Sequence, residues 1–352
     1  MNSRFYILMG TIILMPILIL ACNKAEINPV KAQKELTTEN ENNQNNNTLL
    51  AWTVYWDTEG GREELLNIEK LNEVSFFAAY FNEENQIIMP SKIEELHKQM
   101  LSDANYGERT EYLTIVNDKV FSNGSSSLKD QELLEALFQN EIVRKKHIDE
   151  LISLAKSNGY EGLEIDYERI RSNDELWNLF LTFTEELWAV CEVEEIKLRI
   201  VLEPSTPFEK IAFPEGPEYV MMCYNLYGSH SEPGPKADYQ FLEQLIKKME
   251  DVPGKKSYAL ATGGFDWRSD DEVTALTEKQ ALTLLVESGK SAERDEKSGS
   301  LYFSYEDLNK VQHQIWFADA TTLKGWIDVI NASGEDSISI WRLGGNVSLD
   351  SL

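Results

Sequence analysis

Cysteine is nearly missing from this chain of 352 residues: only Cys22, Cys191 and Cys223 occur, too few for a disulfide framework or a paired thiolate metal site. Histidine is almost as scarce. His97, His147, His230 and His313 are scattered along the chain, so no zinc-ligand spacing appears and no metal is expected. Cations are under-represented too, with 33 Lys and Arg against 60 Asp and Glu, a formal net charge of -27 and no long basic block. That balance disfavours nucleic acid and anionic lipid surfaces and suits neutral or weakly charged substrates. No Gly-rich dinucleotide fingerprint follows the first strand-like run, so no nucleotide cofactor is expected either.

A long apolar run occurs at the N-terminus, where Arg4 precedes residues 5–21. It is short for a membrane-spanning helix and reads as a secretory signal core, residues 1–21. Ile19-Leu20-Ala21-Cys22 resembles the bacterial lipobox, in which cleavage before the cysteine leaves a lipid on the new N-terminus. Cys22 is therefore expected to anchor the chain to the cell membrane from outside the cytoplasm; an ordinary signal peptide or a plain membrane anchor is the alternative. Residues 22–48 are polar, rich in Asn, Glu and Gln, and expected to be a disordered linker. A coil of that length spans roughly 30 Å, enough for a tether.

Residues 49–352 read as one domain, since 42% hydrophobic content supports a large core. Strand-like runs recur at 50–55, 73–80, 111–116, 162–168, 197–202, 218–224, 257–261 and 337–341. Segments of helical period lie between most of them, including 94–101, 133–155, 175–190, 239–249 and 321–332. Strand and helix in alternation imply parallel pairing, and eight repeats imply a closed (β/α)8 barrel, with a doubly wound open sheet as the alternative. The longest connection, 263–320, contains Leu301-Tyr302-Phe303-Ser304-Tyr305 and Gln312-His313-Gln314-Ile315-Trp316-Phe317, which read as a strand pair within a small insertion between the seventh and eighth strands.

The fourth strand carries the chemistry. In Tyr160-Glu161-Gly162-Leu163-Glu164-Ile165-Asp166-Tyr167-Glu168-Arg169-Ile170, acidic residues alternate with Leu163, Ile165 and Tyr167 after a stop at Asn158-Gly159. Glu164, Asp166 and Glu168 thus share one face at spacings of about 6–7 Å. Three carboxylates so close cannot easily all ionise when enclosed, and one is expected to hold a proton near neutral pH, as a general acid must. The same alternation also suits the exposed acidic face of an antiparallel strand.

This run resembles the D-G-x-D-x-D-x-E signature of glycoside hydrolase family 18, the chitinase-like enzymes, with Glu161 and Glu164 in place of the two earlier aspartates. The resemblance implies that Glu168 protonates the glycosidic oxygen while Asp166 orients the substrate's N-acetyl group, whose oxygen attacks the anomeric carbon. Met221-Met222-Cys223-Tyr224-Asn225 resembles the family's M-x-Y-D run. It implies that Tyr224 donates to the attacking acetamido oxygen, that Met222 lines the sugar pocket and that Asn225 binds without the usual charge.

The end Ile340-Trp341-Arg342-Leu343-Gly344-Gly345 resembles that of the spore-germination and cortex-lytic branch, and Trp341 is expected to face a sugar ring. Glu164 and Tyr55, from the aromatic Trp52-Thr53-Val54-Tyr55-Trp56-Asp57, complete the expected binding set. One departure stands out: Leu113-Thr114-Ile115-Val116-Asn117-Asp118 replaces the family's S-x-G-G on strand three. The implied activity is substrate-assisted retaining hydrolysis of an amino-sugar polysaccharide, peptidoglycan or chitin. The alternatives are a non-catalytic chitinase-like carbohydrate-binding lipoprotein and a two-lobed solute receptor.

Overall fold

The computed structural model describes residues 47–170, 173–347 and 349–352. The expected signal peptide, Cys22 and nearly all of the linker lie outside the described residues. Thr48 already pairs with Ser337, so the sheet takes in the last residue assigned to the linker.

Eight strands form a closed parallel ring. In ring order they are β1 (Thr48–Val54), β2 (Glu73–Asn82), β4 (Thr110–Val120), β6 (Gly162–Asp166), β7 (Lys197–Leu202), β8 (Glu218–Met222), β9 (Lys256–Ala261) and β15 (Ser337–Trp341), with β15 pairing back to β1. Two short strands, β3 (Ile87–Ile88) and β5 (Ser126–Ser127), add antiparallel hairpins to β2 and β4. The fold is a (β/α)8 barrel, as the alternation predicts.

Helices occupy the outside because each strand turns one apolar face outward: Leu163 and Ile165 on β6, Ile200 and Leu202 on β7, Ile338 and Ile340 on β15. The helix boundaries are set by local chemistry. Asn140 accepts from the Val143 N–H at the start of Glu141–Asn158, and Gly159, at φ 79°, closes that helix in the left-handed conformation. That closure releases the chain directly into β6.

The insertion is larger than a strand pair. It is a five-stranded antiparallel sheet in the order β11 (Val273–Leu276), β10 (Gly263–Arg268), β14 (Gln312–Ala318), β13 (Leu301–Glu306) and β12 (Glu293–Arg294). A helix, Glu278–Ser288, covers it, and Ala281, Phe303, Ile315 and Phe317 form its own small core. The sheet leaves the barrel at Gly263-Gly264, where a Cβ on Gly264 would stand 1.7 Å from the Trp316 carbonyl oxygen. Only glycine permits that approach.

The barrel interior is polar at its centre. Arg199 on β7 is wholly buried and reaches Glu164 (3.1 Å), Glu73 (3.1 Å), Glu218 (3.4 Å) and the Ser339 hydroxyl (2.8 Å). Lys255 adds a second cation 2.9 Å from Glu218. Glu164 also accepts from the Trp52 indole N–H, from Ser75 (3.0 Å) and from Thr114 (2.8 Å). Burial raises the Glu164 pKa, and Arg199 is the main opposing influence.

Removing the guanidinium strands three carboxylates. Arg199→Leu should lose about 3–5 kcal/mol of stability at neutral pH, read by denaturant unfolding. The folded pKa of Glu164 lies above its unfolded value, so folding takes up a proton, and the variant's deficit should shrink as pH falls toward the ordinary glutamate range. A deficit that does not change with pH would mean that the cluster's charge is not what Arg199 offsets.

Candidate active site

The ladder of β6 ends at Asp166, so Glu168 stands two residues beyond the strand rather than on it. What places it there is Asn117 on β4, one residue past the last pair of its ladder with β6. Asn117 is fully buried; its side-chain oxygen accepts from the Glu168 N–H (3.0 Å), and its amide donates to the carbonyls of Glu168 (3.0 Å) and Asp130 (3.3 Å). The next residue, Arg169, has φ 62° and donates its N–H to Glu203 at 2.7 Å. Tyr167, between the two acids, points outward and bonds His147 at 2.8 Å. Glu168 is therefore fixed by its backbone on both sides, with its side chain at the mouth of the barrel.

Asp166 is buried, with 6% of its surface exposed, and Glu168 is half-buried. Lys129 lies between their carboxylates. Its ammonium contacts Glu168 and stands 3.7 Å from Asp166. Lys129 itself is held at φ 57° by its N–H donating to Asp118 at 2.8 Å. Burial raises the Asp166 pKa well above the ordinary aspartate range; Lys129 opposes the rise, while Glu168, Glu164 and Asp118 add to it. Burial works against the Lys129 ammonium, but the surrounding carboxylates outweigh it and hold its pKa above the usual lysine value.

Tyr224 lies just past β8, half-buried. Burial, with Asp166 and Glu168 next in size, pushes its hydroxyl pKa well up. Met222 packs with it in the cluster of Val201, Val220 and Ala259 inside the barrel. These residues come together with the acids.

The other expected residues divide. Trp341 sits in an aromatic group with Trp52 (5.8 Å between centroids), Phe77 (4.8 Å) and Trp56 (6.5 Å). Trp56 is 49% exposed and lies under the Arg342 guanidinium, which also bonds Asp57 at 2.8 Å. Tyr55 joins this side through Trp56 and Tyr80. Asn225 is exposed in the loop after β8 with φ 61°. Glu164 is different: it has no exposed surface and its oxygens are engaged in the Arg199 cluster, so its place is in the barrel floor rather than against a ligand.

Sequence reasoning missed Lys129 and Asn117. Nothing local marks Lys129 in Leu128-Lys129-Asp130, a polar turn. Asn117 falls in the stretch that departs from the family pattern, which could have prompted the question of what that stretch holds instead. Lys236, also missed, is a half-buried lysine whose ammonium donates to the Thr262 carbonyl at 2.7 Å; burial, with Arg342 nearby, lowers its pKa to about 8. A cavity of about 840 Å³ between the loop after β8 and the inserted sheet is lined by other residues, among them His230, Glu232, Trp267 and Gln314.

Solved structures share this barrel fold. The crystal structure of a chitinase from Chromobacterium violaceum ATCC 12472 superposes with a TM-score of 0.70 at 18% identity, covering 86% of this chain and 96% of that one. In sequence the chain is similar to a Bacillus subtilis (strain 168) protein named uncharacterized glycosylase YvbX, 25% identical over 278 residues, which cover 71% of this chain and 78% of the relative. It is also similar to the cortical fragment-lytic enzyme of the same strain, 24% identical over 251 residues, covering 64% of this chain and 56% of that protein. No protein-family profile matches the chain.

Asn117 gives a test of this construction. Asn117→Ala leaves buried backbone groups of Glu168 and Asp130 without partners, at about 1–3 kcal/mol. Hydrogen exchange at the Glu168 amide should accelerate more than exchange in β7 or β8. Equal protection in variant and wild type would mean that Asn117 does not hold the acid's backbone.

Proposed function

We propose that this protein is a secreted glycosidase of the family 18 type that hydrolyses β-linked glycans containing N-acetylglucosamine, of the peptidoglycan or chitin kind. The observation that carries this reading is the placement of Asp166 and Glu168 at one strand end, in electrostatic reach of Tyr224. The aromatic group around Trp341 stands on β15, four strands round the ring from β6. Similarity to a cortical fragment-lytic enzyme and to a named glycosylase supports the substrate class.

In this reading the aromatic side receives the apolar face of a sugar and the acidic side works on the linkage. Glu168 gives its proton to the departing glycosidic oxygen. Asp166 accepts a hydrogen bond from the acetamido N–H and the Tyr224 hydroxyl donates to its carbonyl oxygen, which closes on the anomeric carbon. Asp166 and Glu168 reach the sugar from the same side, so the nucleophile is the substrate's own acetamido group. Water then opens the oxazolinium ion, returning a proton to Glu168. Two displacements give net retention.

The test is Glu168→Gln against wild type on chitooligosaccharides and purified peptidoglycan. Turnover should fall by roughly 100-fold or more with binding retained, and NMR of the first wild-type product should show the β-anomer. Survival of activity within a few-fold, or an inverted product, would reject the assignment.

The location of the enzyme is part of the same proposal. The lipobox-like Ile19-Leu20-Ala21-Cys22 supports a lipid on Cys22, with the polar segment 23–48 as the tether to a cell-surface substrate. Cys22→Ser should abolish labelling by a fatty-acid probe and leave the chain unprocessed or released into the medium; undiminished labelling would remove the anchor from this reading.

A further inference from the structure

Lys129 is the one feature of the acidic site that the proposed mechanism does not use, and its placement is specific. It comes from the turn between β5 and the helix Gln131–Phe138, held by a left-handed backbone and by the Asp118 side chain. From there its ammonium contacts the Glu168 carboxylate and stands 3.7 Å from the nearer oxygen of Asp166, with the side chain only 18% exposed. Long lysine side chains ordinarily keep their charge in water. This one takes its charge into the gap between two acids.

We propose that Lys129 is a positioning residue for the hydrolytic reaction: it holds Glu168 toward the cleavage site and acts as the fixed counter-charge that lets the Asp166–Glu168 pair carry one proton and release it. The inference rests on Asp166 and Glu168 being the reacting pair.

The charges around the pair show why a cation is needed. Facing it are Asp118 from the end of β4, Glu164 from the layer below, already engaged by Arg199, and Tyr224 from the end of β8, which is neutral. Arg169, next along the chain, directs its guanidinium to the Leu128 carbonyl at 3.2 Å. Without Lys129 the pair would have a third carboxylate, Asp118, beside it and no ammonium against it. The proton on the pair would then be held too tightly to leave, because each neighbouring negative charge favours the neutral acid. With Lys129 present, one proton on the pair makes the three groups neutral together.

Through the reaction the ammonium keeps its own protons. In the first half the bond between anomeric carbon and leaving oxygen breaks, the bond to the acetamido oxygen forms, and the proton passes from Glu168 to the leaving oxygen; the carboxylate left behind is the one Lys129 touches. In the second half water's oxygen bonds the anomeric carbon, the acetamido oxygen departs with its electron pair, and water's proton restores Glu168. Lys129 thus faces the carboxylate form in the interval when it must be stable.

The experiment compares wild type, Lys129→Met and Lys129→Arg by the pH dependence of kcat/KM on a fluorogenic chitobioside. The basic limb reports loss of the proton from the free enzyme's acid. Removing the opposing cation should move that limb to higher pH by about 1–3 units in Lys129→Met, with kcat at the optimum reduced, and Lys129→Arg should return the limb toward wild type. A basic limb that coincides in Lys129→Met and wild type overturns the proposal, because a lysine that only shaped the turn would lower activity without moving the profile.

Carboxyl-carbon NMR titration of Asp166, assigned with Asp166→Asn, gives a readout that needs no turnover. Its midpoint should rise in Lys129→Met, and an unmoved midpoint again overturns the proposal. Should wild type cleave no amino-sugar glycan, the functional reading fails while this titration still decides whether Lys129 sets the proton count.

Discussion

The structure depends on one guanidinium enclosed by a barrel. Inward positions alternate with outward ones on every strand, and on β2, β6 and β8 the sequence places Glu73, Glu164 and Glu218 inward around Arg199. Closing the ring would then trap three carboxylates out of water, which several kcal/mol per ion would oppose. Arg199, inward on β7, contacts all three, and Lys255 takes part of the charge from the bottom. Trp52, Ser75 and Thr114 complete the shell of Glu164. Six of the eight strands and β15 through Ser339 are tied to this one cluster, so barrel closure and charge pairing form together.

The cluster also sets where the site begins. Glu164 lies one inward position, about 6–7 Å, below Asp166. The Arg199 cluster fills that level, and Asp166, Met222 and Trp341 stand above it toward the strand ends. The substitution of Glu for the family's Asp at position 164 suits this arrangement: the extra methylene lets the carboxylate reach Arg199 while still accepting from Trp52. An acidic residue that aligns with a substrate-facing motif is here part of the scaffold. Its effect on the reaction is electrostatic, through the rise it adds to the Asp166 pKa.

Much of this was legible in the sequence, for identifiable reasons. The alternation Leu163-Glu164-Ile165-Asp166 has a period of two residues, and the helix stop at Asn158-Gly159 is a local event, so strand four and its inward face could be read directly. All eight ring strands have the same kind of local signal. The limits lay in contacts between residues distant in sequence. Asn117 and Glu168 are 51 residues apart and Lys129 and Glu168 39 apart, and no local pattern specifies either meeting. Extending strand four to Glu168 followed the alternation one step too far, because Asn117 takes the Glu168 backbone away from the ladder. The insertion was visible as two aromatic runs, but the remaining strands, two of them only two or four residues long, pair through register rather than composition.

The distribution of charge around the mouth of the barrel is uneven. On the side of β4 and β6 stand Asp118, Asp166 and Glu168 with Lys129; on the side of β1, β2, β9 and β15 stand Trp56, Trp341 and Phe77 with Arg342 and Lys236. A global charge of -27 makes the potential more negative everywhere, but solvent and salt screen it over about 8–10 Å, so the proton affinity of Asp166 is governed by its immediate neighbours. At Asp166 burial and the carboxylates of Glu168, Glu164 and Asp118 favour the protonated form, and the Lys129 ammonium placed between the two acids opposes it. The stretch Asn117-Asp118, where the family pattern is lost, supplies both supports: Asn117 fixes the backbone of Glu168, and Asp118 fixes that of Lys129. Two adjacent residues thus fix the backbone on which Glu168 stands and the backbone that carries Lys129 to it.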